Sequence, residues 1–315
     1  MSNAILLALA PVFFVMLLGF GAGRLRIVDN HQVDGLNSLV MGFALPASLF
    51  AATASAPRSE MLEQAPLFAV FSVVMLIVYF AWYFGMRAST AVSRAEASVQ
   101  ALTIAFPNLA GVGLPIMSSV LGPAGTVPVA VALAAGSIVV SPLTLIIVEM
   151  STRKETAVGT PAVQMLRALG RTLTKPVVIA PALGIVLSLS RLELGPVADA
   201  CLLLIGHAAP GVALFLTGLV ISAQPFQLDW KAVSATAMAD VIRPLLAVAV
   251  VAVVPVSAGI GKVAILLAAV PSGFFGILFA VNYRLNPGTA GSMVTASTVV
   301  SIVTMAIAIT VLFPH

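Results

Sequence analysis

Asp240 and Arg243 stand three residues apart inside an otherwise charge-free stretch, a spacing that puts both on one face of a helix. A charge in so apolar a setting is costly. It marks either a pathway for an ion or proton or a pair that neutralises itself. His207 lies in a second such stretch and is the residue type that titrates near neutral pH. A packed, hydrogen-bonded ring is its plainer reading. These three residues are the candidates for ion coupling, while Glu149, at the end of another apolar stretch, reads as solvated.

Two prolines mark a different chemistry. The first lies in Ala105-Phe106-Pro107-Asn108-Leu109-Ala110-Gly111-Val112-Gly113-Leu114-Pro115, the second in Ala269-Val270-Pro271-Ser272-Gly273-Phe274-Phe275-Gly276. Proline removes a helix hydrogen bond and clashes with the preceding turn, and glycines weaken the helix further. Lipid offers the freed backbone groups no partner, so protein, water or a solute must supply one. Each break also creates the N-terminus of a second half-helix, whose N–H groups and partial positive charge favour an anion. Asn108 adds a donor and an acceptor, with Ser272 in a lesser polar role. Pro107, Asn108, Gly111, Pro271, Ser272 and Gly273 are therefore the candidate binding residues, suited to a carboxylate.

Catalysis finds no comparable set. There is no Gly-x-Ser-x-Gly turn, no His-Glu-x-x-His and no glycine-rich phosphate loop, so no catalytic residue is assigned and an enzyme or ATP-driven pump is not expected. Cys201 is the single cysteine, and His31, His207 and His315 show no metal-ligand spacing. Neither a metal nor another cofactor is expected; a proton or sodium gradient remains as a driving force.

The elements that position these residues follow from composition. The 315 residues are 60% hydrophobic and 8% charged, against about 25% charged in a soluble domain, and the mean hydropathy is +1.13. A soluble enzyme, a disordered chain and a nucleic-acid binder are excluded. Apolar runs of helical-span length fall near 4–23, 35–57, 66–86, 97–121, 124–148, 176–190, 200–223, 232–256, 263–283 and 288–313. They are too long and too continuous for a β-barrel. The apolar start without a basic region reads as a retained first span, and the aromatic run 79–84 reads as an interfacial anchor. With the N-terminus outside, eleven Lys and Arg residues face the cytoplasm and only Arg58, Arg191 and Lys262 face outward. Both termini then lie outside a cell membrane, for which a bacterial inner membrane is the natural setting.

The chain also repeats. Pro46 and Pro210 are 164 residues apart, as are Pro107 and Pro271, and Gly42 and Gly206 share that offset. Pro11/Pro176 and Gly19/Gly184 differ from it by one. Residues 1–150 form one half of five spans, 151–175 a cytoplasmic loop, and 176–315 the second half. Five is odd, so the halves are inverted. Inverted halves with corresponding broken helices are the pattern of secondary transporters, with the site at their interface.

At the breaks the sequence resembles the auxin efflux carrier family, which includes plant auxin carriers and bacterial carriers associated with malonate. The resemblance rests on Phe106-Pro107-Asn108 with Gly113-Leu114-Pro115, and on Pro271-x-Gly273 with Phe279-Ala280, Tyr283 and Pro287. It implies an all-α membrane protein of ten transmembrane helices in two inverted five-helix repeats, similar to bile-acid and sodium/proton exchanger folds, with helices 4 and 9 broken where they cross. It further implies a scaffold of helices 1, 2, 6 and 7 that also forms a homodimer, and a mobile transport domain of helices 3–5 and 8–10. The implied substrate is a small organic anion, malonate-like, moved by elevator-type alternating access, with Asn108 on its carboxylate. The short central loop departs from the plant carriers, as does Ser272, which stands where they carry a larger amide. The rival expectations are an efflux carrier for auxin-like aromatic or hydrophobic acids and a membrane sensor that binds without transport.

Overall fold

A computed structural model describes residues 2–29, 33–152, 174, 176–190, 192, 194–223 and 229–314. Among these, every regular element is helical, and the one β contact is an isolated antiparallel bridge between Pro107 and Ser272. In chain order the helices are α1 (Ser2–Arg24), α2 (Val33–Ala54), α3 (Ala65–Ser89), α4 (Arg94–Ala105), α5 (Leu114–Leu121) and α6 (Val127–Ser151). After them come α7 (Pro176–Leu189), α8 (Pro196–Gly206), α9 (Ala208–Ser222), α10 (Trp230–Val253), α11 (Ala258–Ala268), α12 (Phe275–Asn282) and α13 (Gly288–Leu312). The loop expected over 151–175 lies outside the described residues apart from Ser151, Thr152 and Thr174, and so do His31, His315 and Arg191.

Among the described residues six helices are long and apolar enough to cross a membrane: α2, α3, α6, the joined segment Pro196–Leu216, α10 and α13. Each of the ten apolar stretches in the sequence carries helix, but three are divided, one by the single turn residue His207 between α8 and α9 and two at prolines. Pro107 separates α4 from α5, and Pro271 separates α11 from α12. The 12 residues of α4 rise only about 18 Å, against a hydrocarbon core of about 30 Å. Both half-helices that lead into a break start on a serine cap. Ser93 Oγ accepts the Glu96 N–H and Ser257 Oγ accepts the Ile260 N–H, satisfying donors a helix start leaves open.

Prolines also shape the turns that precede them. Among the described residues four turns widen to π geometry, at Val40–Ala44, Leu109–Gly113, Gly136–Val140 and Met238–Ile242. Each ends two residues before a proline: Pro46, Pro115, Pro142 and Pro244. Proline has no N–H for the carbonyl four residues back and its ring collides with that carbonyl. Widening the turn carries that carbonyl away from the ring and shifts the next bond to a residue five ahead, as from Arg243 N–H to Met238 O.

Two groups of helices pack internally. In the first, α1 lies along α9, and α2 lies on α7 and α8. A side chain at Gly19 would strike the Phe215 carbonyl, and one at Gly184 would strike Thr53 Oγ1 and the Phe50 carbonyl, so small residues permit the close approach expected of membrane helices. Gly19 and Gly184 are 165 positions apart, and so are Phe50 and Phe215. In the second group a buried hydrogen-bonded cluster joins α3, α4 and α6: Tyr79 OH lies 2.5 Å from Ser98 Oγ, and Thr144 Oγ1 donates to it at 3.3 Å. Beside it Trp82 Nε1 donates to Gln100 Oε1 at 3.4 Å. This corrects the reading of the aromatic run as an interfacial anchor. Tyr79 and Trp82 are core, while Phe80 and Phe84, on the other face of α3, stay exposed.

Candidate functional site

The two breaks meet. Around the Pro107–Ser272 bridge the Asn108 N–H donates to Pro271 O at 2.8 Å and the Gly273 N–H donates to Phe106 O at 2.9 Å. The two bonds map onto each other when each residue is exchanged for the one 165 positions away, Asn108 for Gly273 and Phe106 for Pro271. Ser93 and Ser257 keep the 164 spacing of the prolines, so the second half holds one residue more between its cap and the crossing. Pro107 therefore sits at the centre of the bridge and Pro271 one position before its centre. Gly273 is required here because a Cβ would sit on the Phe106 carbonyl oxygen. The Phe106 ring stacks on Phe275 at 4.3 Å between centroids, and Phe275 stacks on Phe274 at 5.3 Å.

Asn108 is buried and acts as a cap within its own break. Its Oδ1 accepts the Gly111 N–H at 3.0 Å, and its backbone carbonyl accepts the N–H groups of Val112 and Gly113. The group it offers an anion is the Nδ2 amide donor. Ser272 is handled differently. Its N–H donates to Ser297 Oγ on α13 at 2.8 Å, and that hydroxyl donates onward to Asp240 Oδ1 at 2.8 Å. Ser272 Oγ and Asp240 Oδ2 are buried without a hydrogen-bond partner. The N–H groups that the breaks would offer a solute at 108, 111, 272 and 273 are thus bonded within the protein. What remains for an anion is the field of the two half-helix starts, the Asn108 amide and the Ser272 hydroxyl.

Arg243, fully buried, serves the opposite ends of the half-helices. Its Nε donates to Ala268 O at 2.9 Å, and its two terminal nitrogens donate to Ile104 O and Val270 O. These carbonyls close α4 and α11 or follow directly on them, where a helix leaves acceptors without partners. Asp240 and Arg243 share a helix but not a partner. Asp240 lies inside the π turn at Met238–Ile242 and Arg243 follows it directly; the carboxylate reaches the amide side of the crossing through Ser297 while the guanidinium takes the carbonyl side. Of the residues picked from the sequence, Pro107, Asn108, Gly111, Pro271, Ser272, Gly273, Asp240 and Arg243 therefore converge. His207 does not: it is exposed at the joint between α8 and α9.

Sequence reasoning missed Ser297, and the carbonyl targets of Arg243 as well. Ser297 and Ser301, four residues apart and fully buried on α13, carry the signal of a small polar face that meets other helices. A polar cavity of about 220 Å³ opens beside the start of α4, lined by Glu96, Gln100, Lys231, Asn286 and Thr289 among others. Among the described residues no three of His, Cys, Asp and Glu come together as a metal site.

Known sequences match nearly the whole chain. The family model described as Membrane transport protein matches residues 4–309. The chain is 28% identical over 294 residues to the uncharacterized transporter YfdV of Escherichia coli strain K12, a match covering 93% of this chain and 92% of that relative. The YfdV proteins of Escherichia coli O157:H7 and Shigella flexneri match to the same extent.

Proposed function

Because the chain belongs to the membrane transport protein family, the auxin efflux carriers and their relatives, we propose that it is a secondary carrier of small organic anions, malonate-like carboxylates, working by elevator-type alternating access. The observation that carries this reading is the buried crossing of two interrupted helices, with Asn108 beside the bridge. Two half-helix starts direct about half a positive charge each toward the crossing, and a carboxylate is the solute such a field selects. The cavity at the start of α4 supports a route to it, since Gln100 on its wall lies about one and a half turns before the end of α4, where the break begins.

The paired contacts at 165-residue spacing support two inverted five-helix halves. The packing of α1 with α9 and of α2 with α7 and α8 supports a scaffold of spans 1, 2, 6 and 7, through which a homodimer would form. The cluster joining Tyr79, Ser98 and Thr144 supports spans 3–5 moving as one body. The outward orientation of both termini and a place in the inner membrane belong to the same proposal.

Uptake of labelled malonate and other small carboxylates into proteoliposomes tests it. Flux should saturate and should fall about tenfold or more in Asn108→Ala, the size expected when one anion-binding donor is lost. Unchanged transport by that variant removes Asn108 from the site. The stacked rings of Phe106, Phe274 and Phe275 beside the crossing favour a second reading, efflux of aromatic acids. Competition between malonate and indole acids separates the two. Binding without flux across a sealed bilayer would mark a sensor and overturn both.

A further inference from the structure

From the Arg243 contacts we infer that its guanidinium is a tethered cation filling what would otherwise be a monovalent-cation site, so that the protein needs no sodium ion at the crossing. Three carbonyl oxygens from two places in the chain, Ile104 on one side and Ala268 and Val270 on the other, converge on one fully buried group. The C-terminal ends of α4 and α11 each carry about half a negative charge, so together they require about one positive charge. Nothing in lipid supplies it. Arg243 does so from the neighbouring α10, with a planar set of donors that can serve several acceptors at once.

Carbonyl oxygens gathered in a dry site are also the ligands a hard monovalent cation takes. The free acceptor Asp240 Oδ2 lies one helical turn before Arg243 and is buried with it. Shortening Arg243 to alanine would leave an empty space walled by three carbonyls, with a carboxylate nearby. Arg243 is thus a positioning residue: it holds the ends of both half-helices so that their starts stay aligned. The inference rests on the carrier reading only where flux is measured, and the binding and melting arms below stand without it.

The test compares the purified full chain with Arg243→Ala, Arg243→Lys and Arg243→Leu in sodium, choline and methylguanidinium chlorides at equal ionic strength. The wild type should bind no radioactive sodium and melt at the same temperature in all three salts. Arg243→Ala should bind sodium, melt higher in sodium or methylguanidinium than in choline, and recover flux with them. Arg243→Lys keeps a tethered charge and should be indifferent to sodium, whereas Arg243→Leu fills the space with carbon and should gain nothing from any cation. If Arg243→Ala folds only in sodium or methylguanidinium, that is the same rescue. Sodium binding by the wild type overturns the inference, and so does an alanine variant that no cation restores. A wild type that carries no anion, alongside an alanine variant rescued in melting and binding, sinks the carrier reading alone.

Discussion

The two breaks differ in how each is closed. The first is nearly self-contained: Asn108 caps the turn that follows it, and its side chain, its carbonyl and the Gly111 N–H all belong to one short segment. The second depends on neighbours. The Ser272 N–H reaches Ser297 on α13, and Ser297 is held by Asp240 on α10. A local cap keeps its geometry whatever the surrounding helices do, whereas a cap borrowed from two other helices follows them when they shift. Within one crossing, then, the first half has the fixed cap and the second has the cap through which Asp240 on α10 acts, while Arg243 holds the ends of both.

The largest expected effect breaks the crossing itself. Gly273→Ala puts a Cβ on the Phe106 backbone carbonyl, which cannot turn aside, and should cost about 3 kcal/mol as overpacking against backbone. Gly111→Ala in the first break meets only the Asn108 amide, a side chain able to rotate, and should cost about 1 kcal/mol as an off-rotamer strain. Unfolding in detergent micelles measures both. Equal losses would remove the distinction between a break packed on backbone and one packed on its own side chain.

Next in size is the borrowed cap. Ser297→Ala removes the acceptor of the Ser272 N–H and the donor to Asp240 together, an expected loss of about 2 kcal/mol. Asp240→Asn keeps the shape and removes the charge. If the three groups act as one chain, the double variant loses less than the sum of the single losses, by about 1 kcal/mol. Strict additivity in a double-mutant cycle would detach Asp240 from the second break.

This difference was only half legible in the amino-acid sequence. Breaks announce themselves because proline, glycine and asparagine are residue types with local consequences, and Pro107-Asn108 and Pro271-Ser272 stand in long apolar runs. The π turns were not legible: each ends two residues before a proline, yet Pro11 and Pro181 lie inside helices that have no such turn. The role of Arg243 was hidden because its partners are backbone carbonyls, which every sequence carries. Ser297 was hidden among the many hydroxyls of α13, where only helix packing selects the one that meets Ser272. The 164-residue spacing of the prolines was visible, but the crossing pairs residues at 165. The extra residue in the second half leaves no mark on hydropathy.

The smallest effect on stability is the most informative about function. Asn108→Asp keeps an oxygen where Oδ1 accepts the Gly111 N–H, and asparagine and aspartate are equally good caps. A negative charge at a half-helix start is favoured by about 0.5 kcal/mol, but Asn108 is buried. Desolvating a carboxylate there costs more than that, so the variant should still fold but unfold more easily than the wild type, by about 1 kcal/mol. It replaces the Nδ2 donor by an anionic oxygen, however, and an anionic solute would then meet a like charge at close range. Carboxylate flux should therefore be lost while the fold stays intact, separating the capping role of this side chain from its proposed binding role. Retained flux in a stable Asn108→Asp protein would mean that the solute passes the crossing on the other side, against Ser272, and that the break with the borrowed cap is the one that recognises it.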